Sequence, residues 1–150
     1  MANRYYQGEY KVENRDKYAA DKTPYFRSSW ERRSFFYFDH NKNVISWASE
    51  NITIPYYFPV DDKNHRYTPD IYCKVKNRDG QLKEFLLEVK PEKQTKPPKP
   101  PKRKTAKAMR NYNLAKLEVL KNTFKWEAAE KYCKKRGWVF KVITEKHLQI

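Results

Sequence analysis

The chain has 150 residues, 39% hydrophobic and 16% aromatic, with 33 Lys and Arg against 18 Asp and Glu for a formal net charge of +15. That length suits one domain with one core; four Trp, twelve Tyr and eight Phe exclude wholesale disorder, and no run approaches the ~18 apolar residues of a membrane-spanning helix. A sequence pI near 9.7 calls for a polyanionic partner, most simply nucleic acid.

Residues 1–23 are polar and without a clear period, and read as an N-terminal extension to a single domain over 24–150. The chain start carries no apolar stretch of the kind a secretory leader needs, so none is expected. Ser28 followed three residues later by Glu31 has the spacing of a capping box. It predicts a helix running to about residue 41, with Trp30, Ser34 and Tyr37/Phe38 on one stripe. Short strands follow at 44–47 and 52–54, the second limited by Pro55 and Pro59. In 70–76, Ile71, Cys73 and Val75 alternate with polar residues; in 82–90, Phe85, Leu87 and Val89 alternate with Leu86, Glu88 and Lys90. Period two predicts two strands with one buried and one solvated face, joined as a hairpin through Asp79-Gly80. Five prolines make 91–104 an extended Pro/Lys-rich linker. Helices over 105–122 and 125–136, a stop at Gly137 and a last strand over 138–143 complete the chain. The fold class is α/β (mixed), in the order α-β-β-β-α-α-β, with a central mixed sheet of four to five strands flanked by helices.

Several chemistries are excluded. Gly8, Gly80 and Gly137 are too few and too scattered for a phosphate loop or a dinucleotide fingerprint. Cys73 and Cys133 stand far apart, which gives neither zinc spacing nor a disulfide framework and fits a reducing compartment. His40, His65 and His147 have no partner near them in sequence and read as surface or packing residues.

What remains is charge and a carboxylate pair. Residues 90–107 hold eight Lys and Arg against the single acid Glu92. Lys93, Lys96, Lys99, Lys102, Arg103, Lys104 and Lys107 are candidate backbone-phosphate contacts, as are Lys134, Lys135 and Arg136 in a second basic cluster. A plain solvated spacer or a proline-peptide docking motif has the same composition. Asp70 opens one strand of the hairpin and Glu88 lies near the end of the other, so their carboxylates can converge. With the Val89 carbonyl they make a hard oxygen site suited to Mg²⁺ or Mn²⁺, and Lys90 stands beside it to orient a water or oppose phosphate charge. A cross-strand ion pair on a solvated face gives the same pattern. Glu31 is either the capping residue or a third acid, and Phe35 and Phe38 place it on an inward stripe. Glu50 is the fallback for that third acid, but near a strand end after Trp47-Ala48-Ser49 it reads as a surface acid. Tyr5, Tyr6, Tyr112 and Trp126 can stack on unpaired bases or pack in the core.

Pro69-Asp70, a gap, then Glu88-Val89-Lys90 resembles the PD-(D/E)xK nuclease superfamily. The string Arg27-Ser28-Ser29-Trp30-Glu31, then Ile54-Pro55-Tyr56, Arg66-Tyr67, Asp70-Ile71, Phe85, Glu88-Val89-Lys90-Pro91, Lys134-Lys135-Arg136-Gly137 and Thr144-Glu145 is similar to the head-completion nucleases of T-even-type tailed phages. These in turn are similar to the endonuclease subunit of heteromeric transposases. The resemblance implies a restriction-endonuclease-like core, the catalytic set Glu31, Asp70, Glu88 and Lys90, and Mg²⁺-dependent hydrolysis of DNA. It also implies end processing in filled phage heads, contact with head or portal proteins, no membrane partner, and residence in the host cytoplasm or virion. A non-catalytic basic protein that coats DNA or plugs a portal, and a junction or transposon-end nuclease, fit the same residues.

Overall fold

A computed structural model of the chain describes residues 6–144, 146 and 147; Tyr5 and Glu145 lie outside them. Gly8–Glu9 (β1) pairs with Tyr25–Phe26 (β2), and the helix Ser29–His40 (α1) follows. Val44–Ser49 (β3), Ile54–Phe58 (β4), Lys63–Tyr67 (β5), Ile71–Lys76 (β6) and Leu82–Val89 (β7) come next. A short 3-10 turn at Glu92–Thr95, the long helix Ala106–Arg136 (α2) and Val139–Ile143 (β8) complete the described chain. The central sheet has four strands in the order β3-β6-β7-β8, antiparallel except for the parallel β7–β8 pair. This is a mixed α/β architecture consistent with the expected restriction-endonuclease-like core.

Local chemistry accounts for the boundaries. Ser28 caps α1, its Oγ accepting the Glu31 N–H at 3.2 Å. Gly80 takes the left-handed conformation (φ +79°) at the β6–β7 turn. There the Asn77 side-chain oxygen accepts the N–H groups of Asp79 at 3.0 Å and Gln81 at 2.8 Å. Gly137 (φ +73°) ends α2, and its N–H returns to the Cys133 and Lys134 carbonyls.

Three expectations need correction. The two helices expected over 105–122 and 125–136 are one, α2, of 31 residues. No Gly or Pro interrupts 105–136, and Thr123 bonds its hydroxyl back to the Val119 carbonyl at 3.1 Å instead of breaking the helix. The strand expected at 52–54 is a hairpin: β4 pairs with β5 in its own two-stranded sheet, Pro55 opposite Arg66. A proline is tolerated because β4 has a strand neighbour on one side only. Third, β6 and β7 are covered on both faces. Ile71, Cys73 and Leu87 pack with Phe35, Phe38 and Trp47 on the α1 side. Leu86 packs with Tyr67, Ala129 and Cys133 on the α2 side. The face that alternation assigned to solvent is therefore the floor beneath α2 and the β4–β5 hairpin.

The N-terminal segment shares the first of these cores through Tyr10 and Val12, both buried. Its anchor is Asp39, fully buried at the end of α1. Asp39 accepts the Tyr10 hydroxyl at 2.9 Å and the N–H groups of Glu13 and Asn14 at 2.8 and 3.0 Å. Burial pushes its carboxyl up, but these donors outweigh that and hold it below the ordinary range. Ala19 then donates to the Trp47 carbonyl at 2.8 Å, laying the segment along the free edge of β3. Cys73 and Cys133 are free thiols on opposite faces of the sheet, and no helix among the described residues is long and apolar enough to cross a membrane.

Asp39→Ala leaves three donors without an acceptor and lowers stability by about 3 kcal/mol in urea unfolding at pH 7. A depressed carboxyl stabilises above its unfolded pKa and loses that contribution as pH falls through the folded one. The gap between wild type and variant therefore closes in melts taken below roughly pH 4.

Candidate functional site

The register Ile71↔Leu87 sets the geometry of the site. One step beyond it, Asp70 faces Glu88 across the end of the β6–β7 ladder, with side chains on one face. The Val89 N–H donates to Asp70 Oδ2 at 2.7 Å, and the Tyr67 hydroxyl on β5 donates to Glu88 Oε2. Asp70 Oδ1 and Glu88 Oε1 accept no hydrogen bond among the described residues. Each carboxylate is therefore held by one oxygen and open at the other.

Two further acids belong to the cluster. Glu31 is half-buried at the N-terminus of α1 above Phe35, its Oε2 accepting the Arg27 N–H at 3.2 Å. Capping and proximity to the other acids are thus compatible: Ser28 serves the helix N–H, and the Glu31 carboxylate holds the preceding loop. Glu50 is exposed, as its reading as a surface acid has it, and its N–H donates to the Asp70 carbonyl at 3.0 Å while its carboxylate pairs with the Arg27 guanidinium. It ends β3 in the left-handed region (φ +47°), an uncommon conformation for a residue other than Gly. A signal for Glu50 was present in the β3–β6 register, which continues Ser49↔Ile71 to Glu50 and Asp70. Tyr67 carried no such signal, because β5 lacks a legible period.

These acids act on one another. Burial first, then the Glu88 charge, drive the Asp70 carboxyl well above the carboxylate range, with Glu31 and Glu50 adding to it. Burial also raises Glu88, against the Tyr67 hydrogen bond and the Lys90 and Lys125 charges. Glu31 is raised by burial and by its acidic neighbours, against the Arg27 N–H and charge. Burial and the Glu88 charge keep the Tyr67 hydroxyl protonated as a donor.

Cations ring the cluster on the α2 side. The Lys90 Nζ lies 5.7 Å from the centre of the Trp126 ring, and the Lys125 Nζ lies 5.8 Å from that of Tyr67. Lys90 extends the β7–β8 ladder by one residue, its N–H meeting the Ile143 carbonyl at 2.9 Å. Val89 packs its side chain against the α1-side core. Pro91 follows with no N–H to continue the ladder, and the linker leaves the sheet there. Its first turn is the 3-10 helix Glu92–Thr95, where Glu92 pairs with Lys146 at 2.9 Å and Lys96 at 3.9 Å. Lys93, Lys96, Lys99, Lys102, Arg103, Lys104 and Lys107 are all exposed. Lys134, Lys135 and Arg136 are exposed at the far end of α2, with Arg136 stacked on Tyr132 at 3.5 Å. Of the aromatics considered for stacking, Trp126 packs against the α2-side core, Tyr112 lies under Lys116 at 4.8 Å, and Tyr6 is exposed against Phe26.

Among the described residues, no three His, Cys, Asp or Glu side chains converge as a ready metal cage. The donor chemistry nevertheless fits a hard divalent cation. Mg²⁺ keeps several of its waters and takes one or two carboxylates, and Asp70 and Glu88 offer one open oxygen each.

A family model described as "TnsA-like endonuclease N terminal" matches residues 41–145, a span that includes Asp70, Glu88 and Lys90 but not Glu31. The "Head completion nuclease" of Enterobacteria phage T4 is 37% identical over 145 residues, covering 96% of this chain and 94% of that protein. No solved structure matches the chain. Family model and relative agree, and the chain belongs to the TnsA-like endonuclease family.

Proposed function

We propose that this chain is a Mg²⁺-dependent deoxyribonuclease that hydrolyses phosphodiester bonds in packaged phage DNA during head completion, with Mn²⁺ able to substitute. The observation that carries the chemistry is the opposed pair Asp70 and Glu88, each with one oxygen fixed by a protein donor and the other open. The setting is supported by the 37% identity to the T4 head completion nuclease.

In this reading Asp70, Glu88 and the Val89 carbonyl hold the metal. When bound, Mg²⁺ supplies Lewis-acid polarisation of a phosphoryl oxygen and lowers the pKa of a water. The Lys90 ammonium, one residue beyond Val89, orients that water and opposes negative charge building on the phosphate. Tyr67 keeps Glu88 in place, and Glu31 with Glu50 supports the metal–water shell from the α1 side. The arm over 91–104, with Lys107, Lys134, Lys135 and Arg136, grips backbone phosphate without reading sequence. Contact with head or portal proteins belongs to the same reading.

Lys90→Ala and Asp70→Ala lose ~10²–10³ in Mg²⁺-dependent cleavage while binding DNA nearly as wild type does. Nicking of supercoiled plasmid measures this, and wild-type rates in both variants would sink the proposal. EDTA abolishes cutting by the wild type.

The acid cluster makes a prediction about stability as well. A carboxyl whose folded pKa is raised stabilises the fold below its unfolded pKa and loses that contribution as pH rises through the folded one. Asp70→Asn therefore melts above wild type at pH 7 in metal-free buffer, and the gap shrinks on acidification. Added Mg²⁺ raises the wild-type Tm and leaves that of Asp70→Asn nearly unchanged.

Replacing Lys96, Lys99 and Lys102 together by Gln flattens the slope of log K against log salt for duplex binding by about three units. An unchanged slope assigns the arm to a spacer.

A further inference from the structure

Lys90 borders a second feature besides the acid cluster. Between the arm and α2 runs a groove of about 330 Å³, lined by Lys90, Lys93, Lys96, Pro98, Val119 and Asn122. One wall is stiffened by Pro97, Pro98, Pro100 and Pro101, whose rings fix the backbone. Pro98 and Val119 present apolar surface, and the Lys93 and Lys96 ammonium groups stand exposed at the rim. Glu118 also lies on the rim, and its carboxylate is drawn to Lys125 at 3.9 Å.

The telling residue is Asn122. It is only 5% exposed, lines this groove, and its amide makes no side-chain hydrogen bond among the described residues. Its amide atoms are not among the buried polar atoms left without a partner, so the amide reaches solvent through the groove it lines. It offers a donor and an acceptor side by side, the pattern that pairs with the edge of a nucleobase. The groove has the apolar wall a base needs, cations for the adjoining phosphates, and the volume of a small-ligand cleft.

We propose that this groove holds the base of an unpaired nucleotide beside the cleavage site, so that DNA with a single-stranded end or flap is the preferred substrate. This rests on the nuclease reading given above. Asn122 reads the base edge, Pro98 and Val119 flank the ring, and Lys93 and Lys96 meet the phosphates on either side.

The test has a binding arm and a cleavage arm. Fluorescence anisotropy of metal-free protein compares a short single-stranded oligonucleotide with a blunt duplex, for wild type and Asn122→Leu. The variant binds the single strand about tenfold more weakly, roughly 1.4 kcal/mol, and changes duplex affinity less than about twofold. Its Tm does not fall, since the amide it removes makes no hydrogen bond within the protein. Val119→Phe fills the groove and gives the same selective loss if Asn122→Leu folds poorly. In the cleavage arm, wild type with Mg²⁺ cuts a flapped duplex at least about tenfold faster than a blunt one, and Asn122→Leu narrows that ratio. Equal loss on both DNAs, no loss on either, or equal wild-type rates on flapped and blunt substrates would overturn the proposal. A wild type that binds single strands through Asn122 yet cuts nothing removes the nuclease reading and leaves the groove standing.

Discussion

The hydrogen bond from the Val89 N–H to Asp70 organises the centre of this molecule. It lies where the β6–β7 ladder ends, a place where a buried N–H would otherwise lack a partner. A carboxylate that closes a ladder is fixed by the backbone and not by its own rotamer. The same strand then presents Glu88 opposite Asp70 and Lys90 two residues further on, so one backbone register sets three charged groups. Tyr67 adds a donor from a separate hairpin, and that hairpin is itself held by α2 through Phe58 and Phe124. Rigid elements on both faces of the sheet therefore converge on one short stretch of β7.

That arrangement works against the fold. Burial disfavours the charged forms of Asp70 and Glu88, the Glu88 charge adds to it for Asp70, and the Glu50 charge adds to it for Glu88. The protein gives Glu88 partial relief through Lys90 and Lys125 and leaves Asp70 with a single backbone donor. A site assembled for packing alone would place Arg27 against Asp70. Here Arg27 is taken up by Glu50, and neither Asp70 nor Glu88 forms a direct ion pair among the described residues. Like charge that is only partly relieved is characteristic of functional sites.

How much of this was legible in the sequence depended on the range of the forces involved. The α1 start, the Asp79-Gly80 turn, the Gly137 stop and strands β3, β6, β7 and β8 follow from capping, turn chemistry and period, which act within a few residues. Asp70, Glu88 and Lys90 were legible because a hairpin fixes their relative positions. Residues 8–26 were not, since their order comes from Asp39 accepting two backbone N–H groups across the chain, which leaves no periodic trace. The β4–β5 pair was hidden for a related reason: β5 reads Lys-Asn-His-Arg-Tyr, and only Tyr67 is buried. Glu50 is exposed, as read, but its partners, Arg27 and Asp70, arrive from two other elements and leave no trace in its sequence neighbours.

The same contrast of ranges explains how the charge is laid out. Net +15 spread evenly over one domain would attract DNA to every face and favour none. Pro91 prevents that by ending the β7–β8 ladder immediately after Lys90 and sending the basic arm away from the sheet at the site itself. Glu92, bonded to Lys146, keeps the first turn of the arm from swinging freely. In the proposed reading, a phosphate chain drawn along the arm meets a boundary within a few residues, from the lysines to the half-buried Asp70 and Glu88. Phosphate is repelled from that boundary unless a divalent cation neutralises it. In the proposed reading, attraction along the arm and metal-conditioned entry at its root together direct phosphate to the Asp70–Glu88 pair.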